Sequence, residues 1–195
     1  MKVKLFSVLL LVILISISQT APAYSAAKDS GPIWFTESGL VTGIGTGSIS
    51  EGNYEPVLII WHLSKDLAPY FNSLAGHRWS LSFICEPQVN PVFNPHSDLE
   101  FGIGVGLKFR YPITDKLVPY LLGAVGPHYV SVQTKDQASG FIFSNTIGAG
   151  IEYRFNRKYA MNIGYRLRHI SNAGLKSPNG GINTQFGTAG FSVFY

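Results

Sequence analysis

From Leu99 to Tyr111 the chain alternates without a break. Leu99, Phe101, Ile103, Val105, Leu107, Phe109 and Tyr111 take every second place, with Glu100, Gly102, Gly104, Gly106, Lys108 and Arg110 between them. Side chains of a β-strand point alternately to its two faces, so the pattern predicts a strand with one oily face and one of glycine and charge. The parity recurs. Trp79, Leu81, Phe83 and Cys85 alternate with Ser80, Ser82, Ile84 and Glu86. Phe143, Ile147, Ile151, Tyr153 and Phe155 alternate with Ser144, Gly148, Gly150, Glu152 and Arg154. Tyr159, Met161, Ile163, Tyr165 and Leu167 alternate with Ala160, Asn162, Gly164, Arg166 and Arg168, and Phe191, Val193 and Tyr195 close the chain.

The pattern predicts eight strands, at 38–48, 54–64, 78–86, 99–111, 118–132, 140–155, 159–171 and 183–195. Polar and small residues on the inner face with oil outside suit an all-β, eight-stranded antiparallel transmembrane β-barrel, in which closure leaves no strand edge in lipid. With both termini periplasmic, turns near Lys65–His77, Pro112–Leu117 and Asn156–Lys158 lie inside the cell envelope. Loops near Pro87–Asp98, Gln133–Ser139 and Asn172–Ile182 face outward. Pro119 and Pro127 each remove a ladder donor from the fifth strand, which is expected to bulge. Glu86, Glu100, Lys108, Arg110, Glu152, Arg154, Arg166 and Arg168 fall on the lumen side. Buried charge is costly unless paired, so a salt-bridged plug is expected there and no open pore.

Composition agrees. Only 13% of the 195 residues are charged, 13% are aromatic, and glycine occurs 21 times. Beyond the start, no apolar run approaches the ~20 residues of a membrane helix. The start itself is basic, Met1-Lys2-Val3-Lys4. An apolar run from Leu5 to Ile17 follows, then small residues at Ala21, Ala23, Ser25 and Ala26. That is a secretory signal peptide over residues 1–26, with cleavage between Ala23 and Ala27 and the barrel domain at 27–195. Without Lys2 and Lys4 the 15 basic residues become 13 against 11 acidic, net +2. So weak a charge, with no basic stripe, gives no sign of nucleic-acid binding. The lone Cys85 has no partner for an intrachain disulfide.

Candidate chemistry gathers near the end. His169 and Ser171 stand two apart on the seventh strand and therefore on one face, side by side. A hydroxyl becomes a nucleophile when a base takes its proton, and imidazole is the usual base near neutral pH. Both residues continue the oily face of Met161, Ile163, Tyr165 and Leu167, at the outward end of the strand. Polar residues on the lipid side of a membrane wall point to function by default.

The stretch Tyr-Arg-Leu-Arg-His-Ile-Ser-Asn-Ala-Gly-Leu-Lys-Ser-Pro-Asn-Gly-Gly-Ile, from Tyr165 to Ile182, resembles the outer-membrane lipid A 3-O-deacylases, the PagL-type acyloxyacyl hydrolases. The His-x-Ser-Asn block carries the specificity of that likeness. The resemblance implies an exported outer-membrane enzyme that removes an ester-linked acyl chain from the lipid A of lipopolysaccharide, without metal or cofactor. It implies His169 as general base and Ser171 as nucleophile. It further implies Asn172 as a supporting residue, and Asn179 with the Gly174 backbone N–H as oxyanion stabilisers. It also allows a homodimer. One position departs: where the family's type member has a glutamate as the third triad residue, this chain has Asn183. Asn183 shares the odd-numbered face with Ser171, and an amide oxygen can orient an imidazole.

Other readings stand beside this one. His169 and Ser171 alone would suit a polar strand end at the water interface, and Asn183 a turn exit. His62, His77, His96 and His128 show no ligand spacing, so no metal is expected. The runs Gly43-x-Gly45-x-Gly47 and Gly102-x-Gly104-x-Gly106 have strand period and no following helix, which speaks against a nucleotide loop. Trp34, Trp61 and Trp79 fit interfacial girdles. The competing functions are a non-catalytic barrel for envelope structure or adhesion and, last, a narrow transport pore.

Overall fold

The computed structural model describes residues 34–195, so the expected signal peptide lies outside the described residues. The strands are β1 (Glu37–Ile49), β2 (Gly52–Tyr54), β3 (Val57–Asp66), β4 (Ser80–Val92), β5 (Asp98–Arg110), β6 (Leu117–Val130), β7 (Gly140–Arg154), β8 (Tyr159–Ser171) and β9 (Ile182–Phe194). Each pairs antiparallel with its neighbour, and β9 pairs back onto β1 from Glu37↔Phe194 to Gly47↔Thr184, which closes the barrel. The short β2 and β3 together make one wall strand, interrupted at Glu55–Pro56, so the wall has eight strands. The proximal end of the barrel holds both termini of the wall. The distal end carries the β1–β2 turn and the loops after β4, β6 and β8.

Parity decides the faces. Phe101, Ile103, Val105, Leu107, Met161, Ile163, Tyr165 and Leu167 are exposed on the outer wall, and the residues that alternate with them are buried or half-buried. An apolar band with every backbone group paired is what hydrocarbon surroundings demand.

Two sequence expectations require correction. The stretch from Pro87 was expected to form a loop, yet β4 runs on to Val92 and the connection is only Phe93–Ser97. The β4–β5 ladder is unbroken from Ser80↔Arg110 to Val92↔Asp98. The β3–β4 ladder instead skips from Leu63↔Cys85 to Ile60↔Gln88, beside Pro87. Proline has no N–H to give, so the strand survives by losing a bond to one neighbour while keeping the other. The expected bulge in β6 is likewise absent. The β5–β6 ladder skips from Gly102↔His128 to Val105↔Val125, beside Pro127, with the same register on both sides.

The lumen is solid. Arg166 forks onto Glu86 at 2.6 and 2.9 Å, and Arg168 onto Glu100 at 2.7 and 2.9 Å. Arg110 bonds Glu152 at 2.9 Å and also reaches Glu37, while Lys108 bridges the same two carboxylates. His62 joins Glu86 at 2.7 Å and His128 joins Glu100 at 3.3 Å. The sequence reading placed the larger charges in the lumen but missed Glu37 and both histidines. Above this network a buried apolar layer of Tyr54, Val92, Val130, Val132, Ile142, Ile170 and Ile182 closes the distal end.

Candidate active site on the outer wall

The lumen network fixes β8 from behind. Arg166 and Arg168 point inward and are held by two-pronged bonds, which favours a single placement for the strand between them and its end. His169 and Ser171 have the opposite parity and lie on the outer wall, each half-buried.

Register then sets the neighbours. His169 stands opposite Asn145 on β7 and opposite Asn183 on β9. Its Nδ1 lies 2.8 Å from Asn183 Oδ1. An amide oxygen only accepts, so Nδ1 donates this bond, and in the neutral ring Nε2 then presents its lone pair. Gly181, with φ +76°, packs against the edge of the same ring. A Cβ built there would sit 2.5 Å from His169 Cε1 and 3.1 Å from Nε2. The imidazole is thus gripped by an amide on one side and backed by bare backbone on another. Ser171 lies two residues further on, about 7 Å along the strand. Its hydroxyl engages no group among the described residues.

The loop after β8 is organised by Asn172, which is buried. Its Nδ2 donates to Lys176 O at 2.6 Å, and its Oδ1 accepts the Gly174 N–H at 3.0 Å. Its backbone N–H donates to Asn179 Oδ1 at 2.8 Å. That bond turns the Asn179 amide so that Nδ2 remains as a donor beside the strand end. The Gly174 N–H, in contrast, already has its acceptor. The loop leans on its neighbour after β6: Gly180 N–H donates to Asp136 O at 2.6 Å and Ala138 N–H to Pro178 O at 2.9 Å. The Asp136 carboxylate in turn accepts from the Ser50 N–H at 2.5 Å and hydroxyl at 2.8 Å, which holds its pKa below the usual aspartate range.

A shallow cleft of about 820 Å³ runs sideways from His169 across the outer wall. Sequence reasoning missed it, along with Asn145 and Gln185, and gave Gly181 no role. Strand pairing creates these neighbours, and no local pattern announces which residues of β7 and β9 face His169. Among the described residues no cluster of His, Cys, Asp and Glu could hold a metal ion.

Residues 58–192 match the family model described as lipid A 3-O-deacylase (PagL). Lipid A deacylase PagL of Pseudomonas aeruginosa (strain PAO1) is 32% identical over 84 residues, 42% of this chain and 43% of that protein. The matched stretch therefore spans under half of that relative. Among solved structures, the outer membrane enzyme PagL is similar in fold, with TM-score 0.58 and 19% identity over 79% of this chain and 97% of that one. Neisserial surface protein A is similar too, with TM-score 0.62 and 14% identity over 82% and 96% of the two chains. At these identities the two structures speak to the barrel alone, and one of them carries no enzyme name. The family model, which covers more than half of the chain and includes the whole of the His169–Asn183 constellation, places this protein in the lipid A 3-O-deacylase (PagL) family.

Proposed function

We propose that this protein is an outer-membrane esterase that hydrolyses the 3-O-linked acyl chain of lipid A. The observation that supports it best is the outward-facing His169, fixed by Asn183 with Nε2 presented, beside an unengaged Ser171 hydroxyl on a lipid-facing wall.

In this reading His169 Nε2 takes the Ser171 proton as Oγ attacks the ester carbonyl. Asn183 Oδ1 holds the imidazole and faces the charge that develops on it. The oxyanion meets Asn179 Nδ2, and the Gly174 N–H exchanges Asn172 Oδ1 for it. Collapse expels the sugar alkoxide, which takes the proton back from His169. Water, deprotonated by the same nitrogen, then attacks the acyl-serine, and the departing Ser171 Oγ takes that proton as the fatty acid is released. Asn172 acts by holding the loop that carries Asn179.

The test is mass spectrometry of lipid A from cells making the wild type or Ser171→Ala. Wild type should remove the mass of one acyl chain. Ser171→Ala should leave lipid A intact, an activity loss of at least about 10³-fold. Equal lipid A in both strains would end the hydrolase reading. It would favour a non-catalytic barrel, for which the asparagine at 183 is the one observation in support.

A further inference from the structure

The cleft has two unlike halves. Toward β6 and β8 it is lined by Val125, Ile147 and Leu167. Toward β9 and β1 it is lined by Gln185, Thr46 and Ser48. Register places Gln185 between Leu167 on one side and Thr46 on the other, one row below His169 and Asn183. Below this polar patch the wall returns to oil, with Ile44 and Ile163 strongly exposed. The patch is therefore the lower margin of the polar ground around His169, bordered by oil on a lipid-facing surface.

Its hydrogen-bonding groups are incompletely used. The Tyr165 hydroxyl donates to Gln185 Oε1, which orients the carboxamide and leaves its NH2 as a donor. Thr42, further down β1 on the same face, satisfies its hydroxyl on Leu58 O at 2.9 Å. Thr46 and Ser48 engage no group among the described residues. In hydrocarbon surroundings, unpaired amides and hydroxyls are costly, and methylene chains cannot relieve them. The occupant must bring a partner. It is not a phosphate, because Arg168 at the cleft is turned inward and committed to Glu100.

We infer that this polar half is a subsite for the acyl chain next to the one being cleaved, and that it reads a neutral donor–acceptor group on that chain, an amide linkage or a hydroxyl. The inference rests on the esterase reading above. A chain attached to the neighbouring sugar carbon falls over the neighbouring strand, ~4.8 Å away, when the cleaved chain lies over Leu167 on β8. The Gln185 NH2 donates to the group's oxygen, and the Thr46 or Ser48 hydroxyl accepts its hydrogen. An ordinary ester-linked chain supplies only the acceptor.

The experiment uses the full barrel in detergent micelles and three synthetic glucosamine lipids with the same 3-O-acyl ester. The neighbouring chain is amide-linked in the first, ester-linked with a hydroxyl near its carbonyl in the second, and ester-linked and plain in the third. Wild type should cleave the first or the second with kcat/KM about tenfold above the third, the equivalent of one net hydrogen bond. The favoured lipid identifies the group that is read. Thr46→Val with Gln185→Leu should bring the three within about twofold, and Thr46→Val alone should fall between. These substitutions add apolar surface where the wall meets lipid, and heat-modifiable gel mobility reports that the barrel has folded. Equal cleavage of all three lipids by wild type overturns the inference, as does a preference that survives in the double variant. Cleavage of none by wild type removes the esterase reading itself, and the subsite with it.

Discussion

Arg168 and His169 are adjacent on β8 and meet opposite surroundings. Arg168 turns into the lumen, where both prongs of its guanidinium are bound to Glu100, itself joined by Tyr54, Asn90 and His128. His169 turns to the outer wall, where one nitrogen is held by Asn183 and the other is presented. The lumen holds more charge, yet its groups answer one another and the result is a rigid filling. The outer wall holds a few neutral polar groups with bonds to spare. The comparison teaches that the barrel pairs off its charges, each lumen carboxylate meeting a cation, and leaves uncharged donors and acceptors on the outer wall for whatever covers it.

The largest expected effect comes from breaking the filling. Arg168→Met leaves Glu100 buried without its cation and should lower stability by about 3–5 kcal/mol, read by urea unfolding in lipid vesicles. A loss below about 1 kcal/mol would mean that β8 is not held from behind. On the outer wall the balance should reverse, with activity changing and stability steady. Asn183→Ala should lower kcat on lipid A by about 10- to 100-fold, while its unfolding free energy in urea stays within about 0.5 kcal/mol of wild type. Asn183→Glu should raise kcat, because a carboxylate stabilises the imidazolium better than an amide does. An unchanged rate in Asn183→Ala would remove this residue from the site.

Gly181→Ala tests the bare backbone behind the ring. The added methyl must displace the imidazole, and the positive φ is unfavourable for alanine. The expectation is a loss of about tenfold in kcat with a stability cost of about 1 kcal/mol. The smallest effect belongs to Asp136. Its folded pKa is depressed by the Ser50 N–H and hydroxyl. The stabilisation is therefore complete above the ordinary aspartate value of 3.8 and is lost as pH falls through the lower folded value. A lower amide protection factor around Gly180 on acidification, with exchange referred to the intrinsic rate at each pH and matched at neutral pH by Asp136→Ala, would show that this clasp steadies the loop.

Much of the fold was legible because lipid imposes a period of two on every wall strand. The oily faces of β5, β7 and β8 announce themselves, and the same parity puts His169 and Ser171 on the outside. The extension of β4 through Pro87 and Pro91 was not legible. A proline reads as a breaker, and only the finished sheet shows that one missing N–H lies at a gap in a single ladder. The pairings of the lumen charges were hidden for a related reason. Arg166 and Glu86 are 80 positions apart, and Arg168 and Glu100 are 68 apart. In the site, the His169–Asn183 contact could be anticipated from shared parity. Gly181 behind the ring and Gln185 in the cleft depend on how β9 lies against β8 and β1, which no single segment encodes.

Those long separations bear on how the protein reaches its membrane. Glu37 on the first wall strand answers Lys108 and Arg110, which arrive some seventy residues later. A partly assembled sheet would present these charges to acyl chains with nothing to cancel them. Insertion one strand at a time is therefore unfavourable, and crossing the hydrophobic barrier must coincide with joining β9 to β1.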